Sequence, residues 1–360
     1  MPPIKLAHII PTFDSGGAER LVLEYARRLP ERGYEVHVVS VAAGGSLGPS
    51  IADTPSRVFV GSRQEYGGRI GAFRAVQRYL DQARPDIVHT HLISSDAAGY
   101  WWTRRHRRAR WVATMHNVEA YRPWHYRALW RQMLPRSDAV VAVSGAVREY
   151  ALGHLRAPDK TTFTILNGID TGRWLAVPAA GLFSQGTVRI ATIGRLHRQK
   201  GHGDALDALS GLKHLPWEYH LFGEGDERGP LQALAGKLGI AERVRWHGVS
   251  LDLPAQIAAM DIVVQPSLWE GLSLTVMEAM AAGRCVVASE AAGRELINPG
   301  VDGWIVPTHQ PEALRERLAA IFSAPDKAKA AAVQARQSAR SRFGMDRHLN
   351  QLDSLYRSLL

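Results

Sequence analysis

"LNGIDTGRWLAVPAAGLFSQG", Leu166–Gly186, decides how the rest of this chain is read. It is rich in glycine and proline, and it interrupts a regular pattern. Before it, short β-branched segments recur as "KLAHII", "EVHVVSV", "PDIVHTH", "RWVATMH", "DAVVAVS" and "TFTIL". After it the pattern restarts as "VRIATIG", "EYHLFG", "RVRWHG", "DIVVQPS", "RCVVAS" and "GWIVP". Such runs are expected to be buried strands. Helical stretches lie between them. In "AERLVLEYARRL", Leu21, Val22, Tyr25, Ala26 and Leu29 form one apolar stripe. Two successive strand–helix series predict an α/β fold of two doubly wound, Rossmann-like domains with parallel sheets. The expected bounds are a first domain over 1–172, a linker over 173–187, a second domain over 188–340, and a final helix over 341–360 that packs back on the first domain. Ligands of such sheets bind outside the carboxyl ends of the strands, so the cleft between the two domains is the expected site.

The chain has 360 residues, 46% of them hydrophobic and 22% charged, as in a globular protein with a full core. Its single cysteine, Cys285, excludes an internal disulfide framework and fits a reducing compartment. The opening "MPPIKLAHIIP" is too short and too quickly broken to read as a signal peptide. No run approaches the ~18 apolar residues of a membrane span. The expectation is a cytoplasmic, non-spanning protein. The net charge of +10 is uneven. Residues 1–175 hold 24 Lys and Arg against 15 Asp and Glu, while residues 176–360 hold 20 against 19. The basic half is expected to face something anionic.

Several polar motifs follow strands directly. In "PTFDSGGAER", Gly16 and Gly17 permit close backbone approach, and a helix starting near Ala18 offers free N–H groups to an anion. The same stretch also reads as a tight turn capped by Asp14 or Ser15. In "TIGRLHRQKGH", Arg195 and Lys200 lie on one loop, a planar fork and a point charge suited to a diphosphate. The P-loop spacing is absent. Gly223 and Gly225 bracket Glu224 in a loop fit for a flat base or sugar, and "WHGVS" is similar. "ATMHN" ends a strand with His116 and Asn117, placed to bond a sugar or steady developing charge. His89 and His91 of "HTH" are read as alternating sides of their strand, so that they do not chelate one metal together; His91, at the strand end, is the better cleft candidate. No His, Cys and Asp set with metal-ligand spacing is apparent, and no metal is expected.

"PSLWEGLSLTVMEAM", Pro266–Met280, carries two carboxylates in an otherwise apolar and small-residue segment. Glu270 falls in the turn after the strand, and Glu278 falls about one turn into the helix that follows. The amides near Leu274 and Thr275 form a helix N-terminus, an anion site. One carboxylate can take hydroxyls on one side of a bound phosphate and the other on the opposite side.

The ordered motifs "GGAER", "MHN", "VSGAVREY", "ILNGID", "GRLHRQKG", "FGEGDER", "WHG", "EGLSLTVMEAMAAG", "GREL" and "VDGWIV" resemble the retaining glycosyltransferases of the GT-B fold, in the large family four that uses nucleotide-diphosphate sugars. The resemblance covers nearly the whole chain. It implies that the amide of Gly17 faces the diphosphate and that Arg195 and Lys200 bind it. It further implies that Glu278 holds the ribose and that Glu270 contacts the transferred sugar. By the same resemblance, the amides of Leu272, Ser273, Leu274 and Thr275 cover sugar and phosphate, and Gly223 and Val249 lie near the base. His116 would stand near sugar and acceptor. The implied donor is a UDP-, GDP- or dTDP-sugar and the implied acceptor a glycan or polyprenyl-diphosphate-linked glycan, with no cofactor and no metal. Retention by front-side attack is the implied course, since no nucleophilic carboxylate can be nominated.

Residues 100–136 hold nine arginines and five of the ten tryptophans. Such a basic aromatic segment fits an anionic membrane surface, with Arg104, Arg105, Arg107, Arg108, Trp124, Arg127, Trp130 and Arg131 facing lipid at the inner face of the cytoplasmic membrane. No nucleic-acid-binding motif accompanies the patch. A sugar-nucleotide epimerase of the same fold and a non-catalytic binder of anionic ligands are the competing functional readings.

Overall fold

The computed structural model describes residues 2–14, 16–118, 123–178, 181–250 and 252–360. The chain folds as two compact units, one of Met1–Gly168 with Asp346–Leu360 and one of Ile169–Met345.

The first unit holds β1 (Ile4–Ile10), β2 (Tyr34–Ser40), β3 (Arg57–Val60), β4 (Ile87–His91), β5 (Arg110–Met115), β6 (Ala139–Ala142) and β7 (Thr162–Thr164). They form one sheet in the order β3-β2-β1-β4-β5-β6-β7, and its strand pairs are parallel. Helices on both faces bury the strands, which is why they read as nearly unbroken apolar runs. Leu6, Ala7, Ile9 and Ile10 of β1 have no exposed surface. β3 matches none of the segments expected from the sequence. Its four residues, "RVFV", are exposed or half-buried at a sheet edge, where little apolar surface is demanded. The final helix, Met345–Leu359, belongs almost wholly to this unit. Leu349, Leu352 and Tyr356 are buried, and Tyr34 Oη donates to Asp353 Oδ1 at 2.6 Å.

The second unit holds β8 (Val188–Ile193), β9 (Trp217–Phe222), β10 (Val244–Gly248), β11 (Ile262–Gln265), β12 (Cys285–Ser289) and β13 (Trp304–Val306), in the order β10-β9-β8-β11-β12-β13. These pairs are parallel too. Residues 173–187, the expected linker, supply part of its core. Trp174 and Val177 are buried in the same cluster as Met277 and Met280. The two ends of the unit meet, with Ile169 N–H donating to Phe343 O at 2.9 Å and Met345 N–H to Ile169 O at 3.0 Å. Cys285 is fully buried on β12, and burial pushes its thiol pKa up, so it is a packing residue.

In each sheet the strand order reverses once, between β1 and β4 and between β8 and β11. Loops leaving neighbouring strands at such a point diverge and open a crevice at the carboxyl ends.

Candidate active site

In the second unit the crevice is bounded by the loop after β8, residues 194–201, and the loop after β11, residues 266–273. Glycine lets them close together. Gly201 has φ +65°, and a Cβ there would lie 2.1 Å from Pro266 O. Gln199 then ties the two loops, its Nε2 donating to Trp269 O at 2.9 Å while Leu268 N–H donates to its own carbonyl at 2.8 Å. The result is a direct contact that seventy residues of sequence conceal: Lys200 Nζ donates to Glu270 Oε1 at 2.5 Å. Ser267 Oγ donates to the same oxygen at 2.9 Å and accepts from Gln265 Nε2 at 2.9 Å. Both charged side chains are largely shielded, 17% and 8% exposed. Lys200 keeps two further N–H donors, and Glu270 Oε2 has no partner among the described residues. Arg195 is exposed at the start of the loop. Its carbonyl accepts from His202 Nε2 at 3.0 Å, which anchors the loop's base. Burial lowers the His202 pKa to about 4, so this ring stays neutral.

The loop after β9 joins them from the other side. Gly223 has φ +141°, and a Cβ there would lie 2.0 Å from Gly194 O. Its N–H donates to Gly248 O at 2.7 Å, which brings Gly223 beside the segment bearing Val249, 69% exposed.

Helix Leu274–Ala281 begins at this crevice. Ser273 caps it, its Oγ accepting from Val276 N–H at 3.4 Å. Thr275 Oγ1 donates to Ile193 O at 3.4 Å and fixes the helix start to the end of β8. The amides of Leu274 and Thr275 have no protein partner among the described residues. Leu272 packs its side chain on the core, leaving its backbone in the turn. Glu278 lies just past the first turn and is 7% exposed, an unusual depth for a carboxylate.

In the first unit, helix Gly17–Arg28 starts after β1 with Gly16 at its N-cap and no side-chain cap. A Cβ on Gly16 would lie 2.2 Å from Glu19 Oε2. Asp14 bonds Thr12 instead of capping, at 2.9 Å, and Ser15 lies outside the described residues. His91 ends β4, and His116 and Asn117 follow β5 directly. Asn117 Oδ1 accepts from Val118 N–H at 2.8 Å.

The expectation that His89 and His91 alternate sides of β4 is wrong. Residues two apart on a strand share a face. Their rings lie 4.4 Å apart, and His8 on β1 joins them at 5.1 and 5.4 Å. Nitrogens of these three buried rings lie within 4.8 Å of one another. Five of their six ring nitrogens are engaged in hydrogen bonds, and His8 Nε2 has no partner among the described residues. His8 Nδ1 pairs with His91 Nε2 at 3.1 Å, and His91 Nδ1 with His116 Nε2 at 2.9 Å. His89 is held by Tyr356 Oη at 2.5 Å and Thr114 Oγ1 at 2.6 Å. Burial lowers the pKa of His8 and of His116 to about 3, and of His89 and His91 well below the usual value. His8 carries no strand-end signal, which is why the sequence does not single it out.

The basic aromatic segment divides. Trp130 is 1% exposed and donates its Nε1–H to Asp96 Oδ2 at 2.7 Å, so it is a core residue and not a lipid-facing one. Trp102 and Trp111 are core residues as well, bonded to Asp81 and Thr90. Trp124 is 73% and Trp101 56% exposed. Arg104, Arg105, Arg107, Arg108 and Arg131 are exposed and Arg127 is half-buried, with Arg105 bonded to Gln77. Residues 119–122 of this segment lie outside the described residues.

Two parallel-sheet units of this topology are shared with known sugar-transferring enzymes. Residues 15–173 match the family model for Glycosyltransferase Family 4, and residues 187–324 match that for Glycosyl transferases group 1. The chain is therefore a glycosyltransferase of the GT-B fold. It is 30% identical over 247 residues to the lipopolysaccharide core biosynthesis mannosyltransferase LpsB of Rhizobium meliloti (strain 1021), covering 63% of this chain and 68% of that one. It is 27% identical to the phosphatidyl-myo-inositol mannosyltransferase of Mycobacterium leprae (strain TN), covering 86% and 85%. The fold matches Anabaena Alr3699/HepE in complex with UDP and glucose at a TM-score of 0.86, with 22% identity over 99% and 100% of the two chains. The chain belongs to glycosyltransferase family 4.

Proposed function

We propose that the protein transfers a hexose-type sugar from a nucleotide-diphosphate sugar to a glycan or polyprenyl-diphosphate-linked glycan, with retention at the anomeric carbon, in cell-surface polysaccharide biosynthesis. The observation that carries this reading is the shielded Lys200–Glu270 pair beside the unpaired amides of Leu274 and Thr275. A cation and free amides suit a diphosphate, and the open Glu270 Oε2 suits sugar hydroxyls. Support also comes from the HepE structure, which holds UDP and glucose, and from LpsB, a lipopolysaccharide core mannosyltransferase. Glu278 takes the ribose hydroxyls in this reading, while Gly223 and Val249 border the base. Gly16 and Gly17 lend amides to the diphosphate, and His116 and Asn117 lie toward sugar and acceptor. His91, expected at the cleft, is fully buried with both ring nitrogens bonded to His8 and His116, so it acts only through His116.

In the reaction the bond from the anomeric carbon to the phosphate oxygen breaks. A bond to the acceptor oxygen forms on the same face, and the acceptor's proton passes to the leaving phosphate. Arg195, Lys200 and the helix amides neutralise the charge that develops on the diphosphate, in the role a metal fills elsewhere. A thermal-shift panel of UDP-, GDP- and dTDP-sugars selects the donor. A product assay with lipid-linked acceptors in EDTA then follows, and NMR of the product is expected to show the donor's anomeric configuration. An inverted product, or no turnover without a divalent ion, would refute the mechanism.

We also propose that the protein docks on anionic membrane through Trp124, Arg104, Arg105, Arg107, Arg108, Arg127 and Arg131. Exposed tryptophan beside arginine suits the headgroup layer. Among the described residues no helix is long and apolar enough to cross a membrane. Sedimentation with phosphatidylglycerol vesicles is expected, weakening as salt rises. Equal recovery with neutral phosphatidylcholine vesicles would overturn this.

A further inference from the structure

His8, His91 and His116 form one chain of hydrogen bonds, from His8 Nδ1 to His91 Nε2 and from His91 Nδ1 to His116 Nε2. His8 and His91 have no exposed surface. Burial keeps all three rings neutral, so each carries one proton. Each ring therefore donates at one nitrogen and accepts at the other. Only two arrangements satisfy both bonds. In one, His8 and His91 donate toward His116. In the other, His116 and His91 donate toward His8.

The far end of the chain decides between them. His8 Nε2 is buried and has no hydrogen-bond partner among the described residues. If the chain ran toward His8, this nitrogen would carry an orphaned N–H, which folded proteins very seldom tolerate; a bare lone pair there is the lesser penalty. The proton of His8 then sits on Nδ1 and that of His91 on Nδ1. His116 Nε2 can only accept. We propose that His8 and His91 are positioning residues that hold His116 in the tautomer protonated at Nδ1, so that its imidazole meets the sugar as a neutral hydrogen-bond donor. In a histidine, the bond made by one nitrogen sets what the other offers. Arranged this way, His116 is not a base for the acceptor hydroxyl at its outward nitrogen, which leaves that proton to the departing phosphate.

The proposal rests on the placement of His116 beside the transferred sugar, and the experiment separates the two. Nitrogen-15 NMR of histidine-labelled full-length protein reads the tautomer of each ring without substrate. The expected result is His116 protonated at Nδ1 in the wild type. His8→Asn keeps a donating side-chain amide near the Nδ1 position, whereas His8→Leu keeps none. In His8→Leu the His116 signal is expected to become a mixture of tautomers, with kcat lower by about 10-fold and donor KM little changed. In His8→Asn the single tautomer and most of the activity should return. His116 protonated at Nε2 in the wild type would overturn the proposal, as would equal loss in both variants with the tautomer unaltered. One equivalent of zinc in the purified protein, lost in His8→Leu, would overturn it as well, since the rings would then be ligands. If His116→Ala turns over normally while the tautomers behave as expected, the placement beside the sugar fails and the relay stands.

Discussion

Lys200→Ala is expected to lower kcat by about 10²-fold to 10³-fold, the range for deleting one group that stabilises developing charge in a shielded site. Three features raise the effect toward the upper end. Lys200 is only 17% exposed, so water cannot readily take its place. It is held at a fixed position by Glu270, with Gly201 and Gln199 fastening the loop on either side, so little reorganisation is needed during reaction. Its removal also strips Glu270 of a charged partner and leaves only Ser267 on Oε1. The carboxylate meant for the sugar then sits in a site it no longer fits. The two side chains act as a unit, so Glu270→Ala should lose turnover to a similar extent, and the double variant should lose little more than either single one. Glu278→Ala, which lies away from the reacting carbon in the proposed mode, should instead raise donor KM. Steady-state kinetics across these variants reads the pattern. Multiplying losses for Lys200 and Glu270, or less than 3-fold loss on removing Lys200, would sink it.

The second large effect is on stability in mild acid. An unfolded histidine titrates near ~6.5. In the fold, burial holds His8 and His116 at about 3, and His202 and His348 at about 4. His89 and His91 lie well below their usual value for the same reason. Below the unfolded value the open chain binds protons that the fold refuses. The unfolded state thus binds more protons, and stability rises with pH across this window. The full contribution is present above pH ~6.5 and drains away as pH falls toward the folded values. Each such group contributes a slope of about 1.4 kcal/mol per pH unit well inside the window. The three in the first unit, His8, His116 and His348, together give roughly 4 kcal/mol per pH unit, a large fraction of the roughly 5–15 kcal/mol that holds a typical domain together. Cooperative unfolding is expected between pH 6 and pH 5 at ambient temperature, in about the range where the proton excess of the unfolded chain matches that margin. Circular dichroism melts over pH 5 to 8 test it. A melting temperature that stays flat from pH 7 to pH 5 would show that these rings are hydrated and free to charge.

The alternation of apolar strand and helix was enough to read both parallel sheets, because strands covered on both faces must be apolar along their length. β3 escaped notice because an edge strand of four residues carries no such demand. Strand-end motifs pointed to Arg195, Lys200, Glu270 and Glu278, since turn glycines mark where backbone must come close. What the sequence could not disclose is who meets whom. Lys200 and Glu270 are 70 residues apart, and their contact depends on Gly201 pressing against Pro266. Ser267 carries no signal in the sequence, yet its hydroxyl holds Glu270. Trp130 departs from its expected place because composition alone does not tell a tryptophan whose N–H is bonded inside from one that faces out. His89 and His91, two apart on β4, share a face, contrary to the expected alternation, and strand periodicity alone does not reveal that His8 of the neighbouring strand completes the ring chain.

The closing helix of the chain has a consequence for how the protein is made. Tyr25 bonds His348 at 2.7 Å, and His89 bonds Tyr356, so the first unit keeps buried polar groups waiting for partners encoded more than 250 positions later. On the ribosome that unit emerges first and is completed last. The intervening unit can fold meanwhile, since all its strands lie in one uninterrupted stretch. A nascent chain stalled before residue 345 would therefore display one finished half and one that is sticky and open, an obvious client for a chaperone.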